Sequence, residues 1–177
     1  MITIRQEEEK DYPQIFQLIE EAFKNIEYSD HQEHFLVEKL RKSDAFIPEL
    51  SLVAENENGE IVGHILFTKL KIIDGSEIFE SLALAPVSVK PEFQNQGVGG
   101  QLITSGHFIA KKLGYESVIL IGHEKYYPKF GYQKTTNFRI SFSFDIPEEN
   151  GMAIELIKNS LNNKKGIVKY PKEFGIN

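Results

Sequence analysis

The sequence predicts a mixed α/β fold: one sheet with helices on its faces. Three observations carry that expectation. The apolar pattern runs in the order β-α-α-β-β-β-α-β-(α)-β with a C-terminal addition. An Asn58-Gly59 pair sits between two strand-like runs, which is the signature of an antiparallel hairpin. A glycine-rich stretch joins a strand-like run to a helix-like run at Gly97, Gly99 and Gly100. The chain has 177 residues, 41% hydrophobic and 26% charged, the balance of one ordinary globular domain.

Each element follows from local pattern. "ITIR" alternates as a first strand. "KDYPQIFQLIEEAFKNI" puts Ile15, Leu18, Ile19, Ala22 and Phe23 on one helical face, with Asp11 as N-cap and Pro13 in the first turn. "DHQEHFLVEKLRKSDAF" reads as a second helix with Phe35, Leu36 and Leu40 as its apolar positions. "LSLVAENENGEIVGHILFTKLKII" supplies the hairpin, its turn drawing on the positive φ that Asn-Gly accepts. "FESLALAPVSV" is a further strand interrupted by Pro86. "GVGGQLITSGHFIAKKLG" is a helix with Val98, Leu102, Ile109 and Leu113 toward the core and Gly114 as its C-cap. "ESVILI" reads as a buried strand, "EKYYPKFGY" as a compact turn, "RISFSFDI" as an alternating strand, and "MAIELI" and "GIVKY" as one or two more.

Composition excludes several chemistries. There is no cysteine, so disulfides, thiolate zinc sites and thiol nucleophiles are ruled out. The net charge of −6 argues against phosphate-backbone binding, and the basic "NNKKGIVKYPK" lacks interleaved aromatics. No nucleic acid and no membrane partner is expected. No apolar run reaches the roughly 18 residues of a span, and "ITIRQEEEKDYPQ" resembles no signal peptide, which makes the cytoplasm the expected location. His31 and His34 in "HQEH" lack a third ligand and the HExxH pattern; they read as a solvated helix face, and no metal is expected. His64 and His107 read as structural, and "QEEEKD" as acidic decoration at a helix start.

The glycine stretch fits neither standard nucleotide loop. No Gly-Lys-Ser/Thr occurs, and a dinucleotide fingerprint from Gly97 and Gly99 would need glycine where Leu102 stands. A helix start still offers free N–H groups and the positive end of the helix dipole, which bind phosphate without a lysine. Glycine lets phosphate oxygens reach those amides. The competing explanation is a plain tight strand-to-helix turn.

The longer pattern "VKPEFQNQGVG", Val89 to Gly99, resembles the acetyl-CoA motif of the GNAT superfamily of N-acetyltransferases: Gln or Arg, two residues, Gly, one residue, then Gly or Ala. Here that is Gln94, Asn95, Gln96, Gly97, Val98 and Gly99, with the Val-x-Pro lead-in at Val89 and Pro91. "YPKFGY" places Tyr127 four before Gly131, as in that superfamily. "GHEKYYPKFGY" and "IVKYPKEFG" look like a bacterial branch whose members mostly lack assigned substrates. The resemblance covers nearly the whole chain. It implies an acyl-CoA N-acyltransferase fold, with a mostly antiparallel sheet splayed between its fourth and fifth strands. The implied domain is single, over 1–177, with 150–177 a strand extension of it.

The resemblance also implies roles. Acetyl-CoA is the co-substrate. Main-chain groups of Val87 and Val89 pair with its pantetheine arm at a gap marked by Pro86, and 94–100 holds its diphosphate. The N–H of Val87 faces the oxyanion of the tetrahedral intermediate. Tyr127 stabilises the departing thiolate. The acceptor is a small-molecule or protein amine, and the assembly a monomer or homodimer. A lysine-like amine must first lose a proton, at roughly 4–5 kcal/mol at pH 7. Where some members carry a basic glutamate this chain has Ala83. His123, Glu80 and Glu124 are the remaining candidates for the base, and His123 is preferred. The missing glutamate leaves room for a non-catalytic acyl-CoA-binding or sensor module, and a nucleotide-binding domain is the third alternative.

Overall fold

A computed structural model describes all 177 residues. Its strands are β1 (Ile2–Gln6), β2 (Phe46–Asn56), β3 (Ile61–Asp74), β4 (Glu77–Val89), β5 (Ser117–Ile121), β6 (Gln133–Lys134), β7 (Ile140–Phe142), β8 (Gly151–Glu155) and β9 (Gly166–Lys169). Its α-helices are α1 (Tyr12–Phe23), α2 (Glu33–Arg41) and α3 (Val98–Lys112). The strands hydrogen-bond in the order β1-β2-β3-β4-β5-β8-β6, and β9 pairs with β3 and β7. Only β4–β5 and β7–β9 are parallel pairs. The fold is therefore the expected mixed, mostly antiparallel sheet flanked by helices. The residues fall into two compact units, Met1–Phe67 with Ala85–Ile109, and Thr68–Leu84 with Ala110–Asn177.

In the first unit, β1 pairs with β2 from Ile2↔Asn56 to Gln6↔Leu52. The β2–β3 hairpin turns on Gly59 alone, at φ +75°. Asn58 keeps a negative φ, because the Asn56 carboxamide oxygen accepts its N–H at 3.0 Å and that of Glu60 at 3.0 Å. The loop is thus a turn followed by a left-handed glycine, not the two-residue turn expected. The acidic run is only partly decoration. Asp11 forms a two-pronged pair with Arg5 and accepts the Glu8 N–H at 2.8 Å, so it caps the short 3-10 turn before α1 and not α1 itself. Glu7 is buried.

Glu7 accepts two hydrogen bonds from Arg41, at 3.0 and 2.8 Å, and its Oε2 lies 3.3 Å from His64 Nε2. Burial alone would raise its pKa; the bonds from His64 and Arg41 outweigh that and hold it at about 2. Burial pushes the His64 pKa down, so the neutral ring donates and Arg41 supplies the opposing charge. This network ties the end of α2 to β3 and to the residue that follows β1. It also corrects the face of α2: His34, Val37 and Leu40 are buried, while Phe35 is exposed.

α3 seats on the opposite face of β3, because Gly63 and His64 alternate across the strand. A Cβ at Gly63 would lie 3.0 Å from Leu102 and 3.1 Å from Val98, and one at Gly106 only 2.2 Å from the Phe67 ring. The two glycines let helix and strand approach closely. The stripe that packs is Val98, Leu102, Ile103, Gly106 and Ala110; Ile109 is half-buried and Leu113 exposed. Gly114, at φ +91°, ends the helix, with the Gly114 N–H bonded to Lys111 and the Tyr115 N–H to Ala110.

In the second unit, β5 pairs antiparallel with β8, β8 with β6, and β9 with the end of β3. Leu70, Ile72, Ala83, Ile119, Ile140, Ala153 and Val168 form its core. Phe142, Phe144, Tyr170 and Phe174 pack against one another beside it.

Candidate active site

The 94–100 segment follows β4 after a short connection. The Lys90 N–H bonds to Val62 at 2.9 Å and its ammonium to Glu60 at 2.6 Å, which fixes the strand exit on β3. A 3-10 turn over Pro91–Phe93 follows. Asn95 and Gly97 then take positive φ, +61° and +82°. No atom lies within 4 Å of where a Gly97 Cβ would stand, so the backbone conformation, not crowding, requires glycine there. The Gly97 carbonyl accepts the first bond of α3, from the Gln101 N–H at 3.0 Å. The N–H groups of Val98, Gly99 and Gly100 therefore have no carbonyl one turn earlier to bond.

The glutamines of the motif brace this turn. Gln94 Nε2 donates to the Val89 carbonyl at 3.0 Å, and Gln96 Nε2 to the Glu92 carbonyl at 2.9 Å. Gln94, Asn95, Gln96 and Gly97 are all exposed, Gly99 and Gly100 half-buried, and Val98 is buried beneath them. The donors a ligand would meet are main-chain amides on a turn locked by its own side chains.

Alternation along β4 places the other expected contacts. Lys90 bonds toward β3, so Ser88 does too, and the main-chain groups of Val87 and Val89 point away from β3. The Val89 carbonyl already accepts from Gln94. Pro86 is buried and the Ala85–Pro86 peptide is cis. The β4–β5 ladder comprises only Leu82↔Val118 and Ala83↔Ile119. Just before it, the buried Ser81 and Ser117 hydroxyls bond at 2.7 Å. β5 continues to Ile121 against β8 alone. Side-chain size gave no hint of the Ser81–Ser117 clasp, whose signal is two serines in otherwise apolar strands.

Tyr127 opens a 3-10 turn, Tyr127–Phe130, that Gly131 ends at φ +101°. Its ring stands edge-on to Tyr126 at 5.0 Å and to Tyr132 at 5.8 Å. It lies so close over Gly122 that a Cβ there would be 2.4 Å from the ring. Gly122 is pinned in turn: its N–H bonds to Asn150, whose carboxamide donates back to its carbonyl at 2.8 Å. His123 is exposed, and its Nδ1 accepts the Lys125 N–H at 3.1 Å. The neutral ring therefore presents an N–H, not a lone pair, at Nε2. Glu80 is exposed, Glu124 half-exposed, and Ala83 buried.

Comparisons with known proteins bear on this geometry. The model of the acetyltransferase (GNAT) domain matches residues 3–135. The chain is 37% identical over 116 residues to the uncharacterized N-acetyltransferase YjhQ of Escherichia coli K12, an alignment spanning 65% of this chain and 64% of that protein. It is 27% identical over 173 residues to the uncharacterized N-acetyltransferase YhbS of the same strain, across 98% of both. The crystal structure of Escherichia coli YhbS with CoA superposes with a TM-score of 0.88 at 24% identity, over 98% of this chain and 92% of that one. A GNAT acetyltransferase of Brucella melitensis with acetyl-CoA gives 0.80 at 30% identity over 98% of both chains. With its domain matched over most of its length and its sheet that of these proteins, the chain belongs to the GNAT family of acetyltransferases.

Proposed function

We propose that the protein transfers the acetyl group of acetyl-CoA to a primary amine by direct attack. The observation that carries this reading is the turn at Gly97: a braced backbone with three unbonded helix-start amides and open space where a side chain would stand. Such a turn suits a diphosphate. The short β4–β5 ladder and the outward main-chain groups of Val87 and Val89 suit an extended pantetheine arm that needs amide partners. Relatives with CoA or acetyl-CoA bound support the choice of ligand.

Bound acetyl-CoA supplies a thioester whose carbonyl carbon the amine attacks. The Val87 N–H donates to the carbonyl oxygen as it gains charge in the tetrahedral intermediate. Tyr127 donates its hydroxyl hydrogen bond toward the sulfur as the C–S bond breaks. The phenol and thiol have ordinary pKa values of about 10 and about 8.5, so this stabilises charge more readily than it completes a proton transfer. The amine proton leaves to water; His123 can take it only when its bond to the Lys125 N–H opens. Thiol release from acetyl-CoA with a panel of amines tests the reading. Turnover with at least one amine, lost in Tyr127→Phe, supports it. Tight CoA binding with no turnover on any amine overturns it in favour of a binding or sensor module.

A further inference from the structure

His64 is fully buried and Ser88 is 2% exposed, yet His64 Nδ1 and Ser88 Oγ make no hydrogen bond within the protein. We propose that one ordered water joins them, and that through it the Glu7–His64 pair positions the β4 segment that carries Val87. The water site stands on geometry alone; the positioning role rests on the acetyl transfer proposed above.

Strand register sets the two side chains beside each other. The Lys90 N–H bonds to the Val62 carbonyl at 2.9 Å. In an antiparallel pair this puts residue 90 opposite 62, and therefore Ser88 opposite His64 on the same face. Gly63 faces Val98 and Leu102 of α3, so His64 and Ser88 occupy the other face of the sheet. The ring is oriented by its bonded side. Nε2 lies 3.1 Å from Ser51 Oγ on β2 and 3.3 Å from Glu7 Oε2. β3 runs between β2 and β4, so Nδ1, across the ring from Nε2, is turned toward β4. A carboxylate only accepts, so Nε2 carries the hydrogen and Nδ1 keeps its lone pair.

A buried lone pair and a buried hydroxyl left without partners each cost free energy. Opposite residues stand about 5 Å apart at Cβ, and serine is small enough to leave room for a water beside the ring. That water gives one hydrogen to Nδ1 and accepts the Ser88 O–H, which satisfies both atoms. The imidazole end of the bridge is fixed. Arg41 makes two bonds to Glu7 and lies 3.9 Å over the Tyr12 ring, and the Glu7 N–H bonds to the Ser51 carbonyl at 2.9 Å. The main-chain groups of Ser88 point toward β3 and those of Val87 away from it. Holding Ser88 therefore sets the direction of the Val87 N–H, the donor to the oxyanion in the proposed reaction.

A high-resolution crystal structure of the full chain, with 15N spectra of its imidazoles, tests the water without any substrate, so the result is independent of the transfer reaction. Density for one water within hydrogen-bond distance of both atoms is expected, with His64 Nδ1 unprotonated and hydrogen-bonded. A dry gap, or a direct bond between Ser88 and His64, would overturn the proposal. Ser88→Thr and Ser88→Val then read the positioning role, because they differ by a hydroxyl at nearly equal size. Ser88→Val should speed amide exchange at Lys90 and lower kcat about tenfold at unchanged KM for acetyl-CoA; Ser88→Thr should restore most of both. That drop is smaller than the about 10²–10³ of deleting an oxyanion donor, because the Val87 N–H is displaced and not removed. Ser88→Ala adds no atom, should behave as Ser88→Val, and serves should the larger variants fold poorly. Exchange at Lys90 is readable even if no amine turns over. Unchanged exchange, or unchanged kcat in an active Ser88→Val, would reduce the hydroxyl to a structural group and overturn the positioning role.

Discussion

The turn that opens α3 and the turn that carries Tyr127 are both short, glycine-bearing connections, but they are held in different ways. At Gly97 the chain shapes itself: two positive φ angles, a helix start, and glutamine side chains folded back onto carbonyls. Around Tyr127 the shape depends on rings stacked edge to edge and on one ring pressed over Gly122. A site made of main chain presents donors whatever side chains surround it. A site made of side chains works only if each group also has its proton in the right place. In the proposed reaction the first binds the cofactor and the second takes part in the chemistry. His123 belongs to the second kind: its ring is exposed and its Nδ1 already accepts the Lys125 N–H.

Acid separates side-chain-held from backbone-held structure, and the largest effect is expected there. The folded pKa of Glu7 is depressed to about 2 from an ordinary value of 4.5. Its contribution to stability is therefore full above about pH 4.5 and is lost as pH falls toward 2, by about 3 kcal/mol in all. Denaturant melts from pH 6 to 2.5 should show this loss, and Glu7→Gln should flatten it; an equally steep loss in the variant would assign it elsewhere. Tyr127→Phe should lower kcat by about a hundredfold, within the range of a positioned proton or hydrogen-bond donor, with the KM for acetyl-CoA nearly unchanged. Gly97→Val should do the reverse. A side chain forced to positive φ costs about 1–2 kcal/mol, which predicts acetyl-CoA binding weakened about tenfold and kcat at saturation largely kept. A fall in kcat with unchanged affinity would erase the distinction between the two turns. His123→Ala should change kcat by no more than about threefold, well short of the about 10²–10⁴ that a positioned base supplies. A larger drop, with a shifted pH–rate profile, would show that the ring sheds its bond to Lys125 during turnover.

The parts of this protein legible in its sequence are those that backbone rules govern. Alternation found the sheet, Gly114 ended α3, and Gly97 stood where positive φ requires it. Reading apolar residues by bulk misled on two helices. α3 makes its closest contact through Gly106, and α2 turns His34 inward and Phe35 out. Small or polar residues at a packing surface carry no hydrophobic signal. The acidic run hid Glu7 because its partners Arg41 and His64 are remote in sequence and only folding brings them together. Gln94 and Gln96 match a ligand motif, yet both side chains serve the turn itself, a distinction no spacing rule can make.

Backbone amide NMR during an acetyl-CoA titration tests the central claim most directly. The amide resonances of Val98, Gly99 and Gly100 should move first and furthest, saturating together with binding. Full saturation by acetyl-CoA with those three amides unmoved would contradict the account.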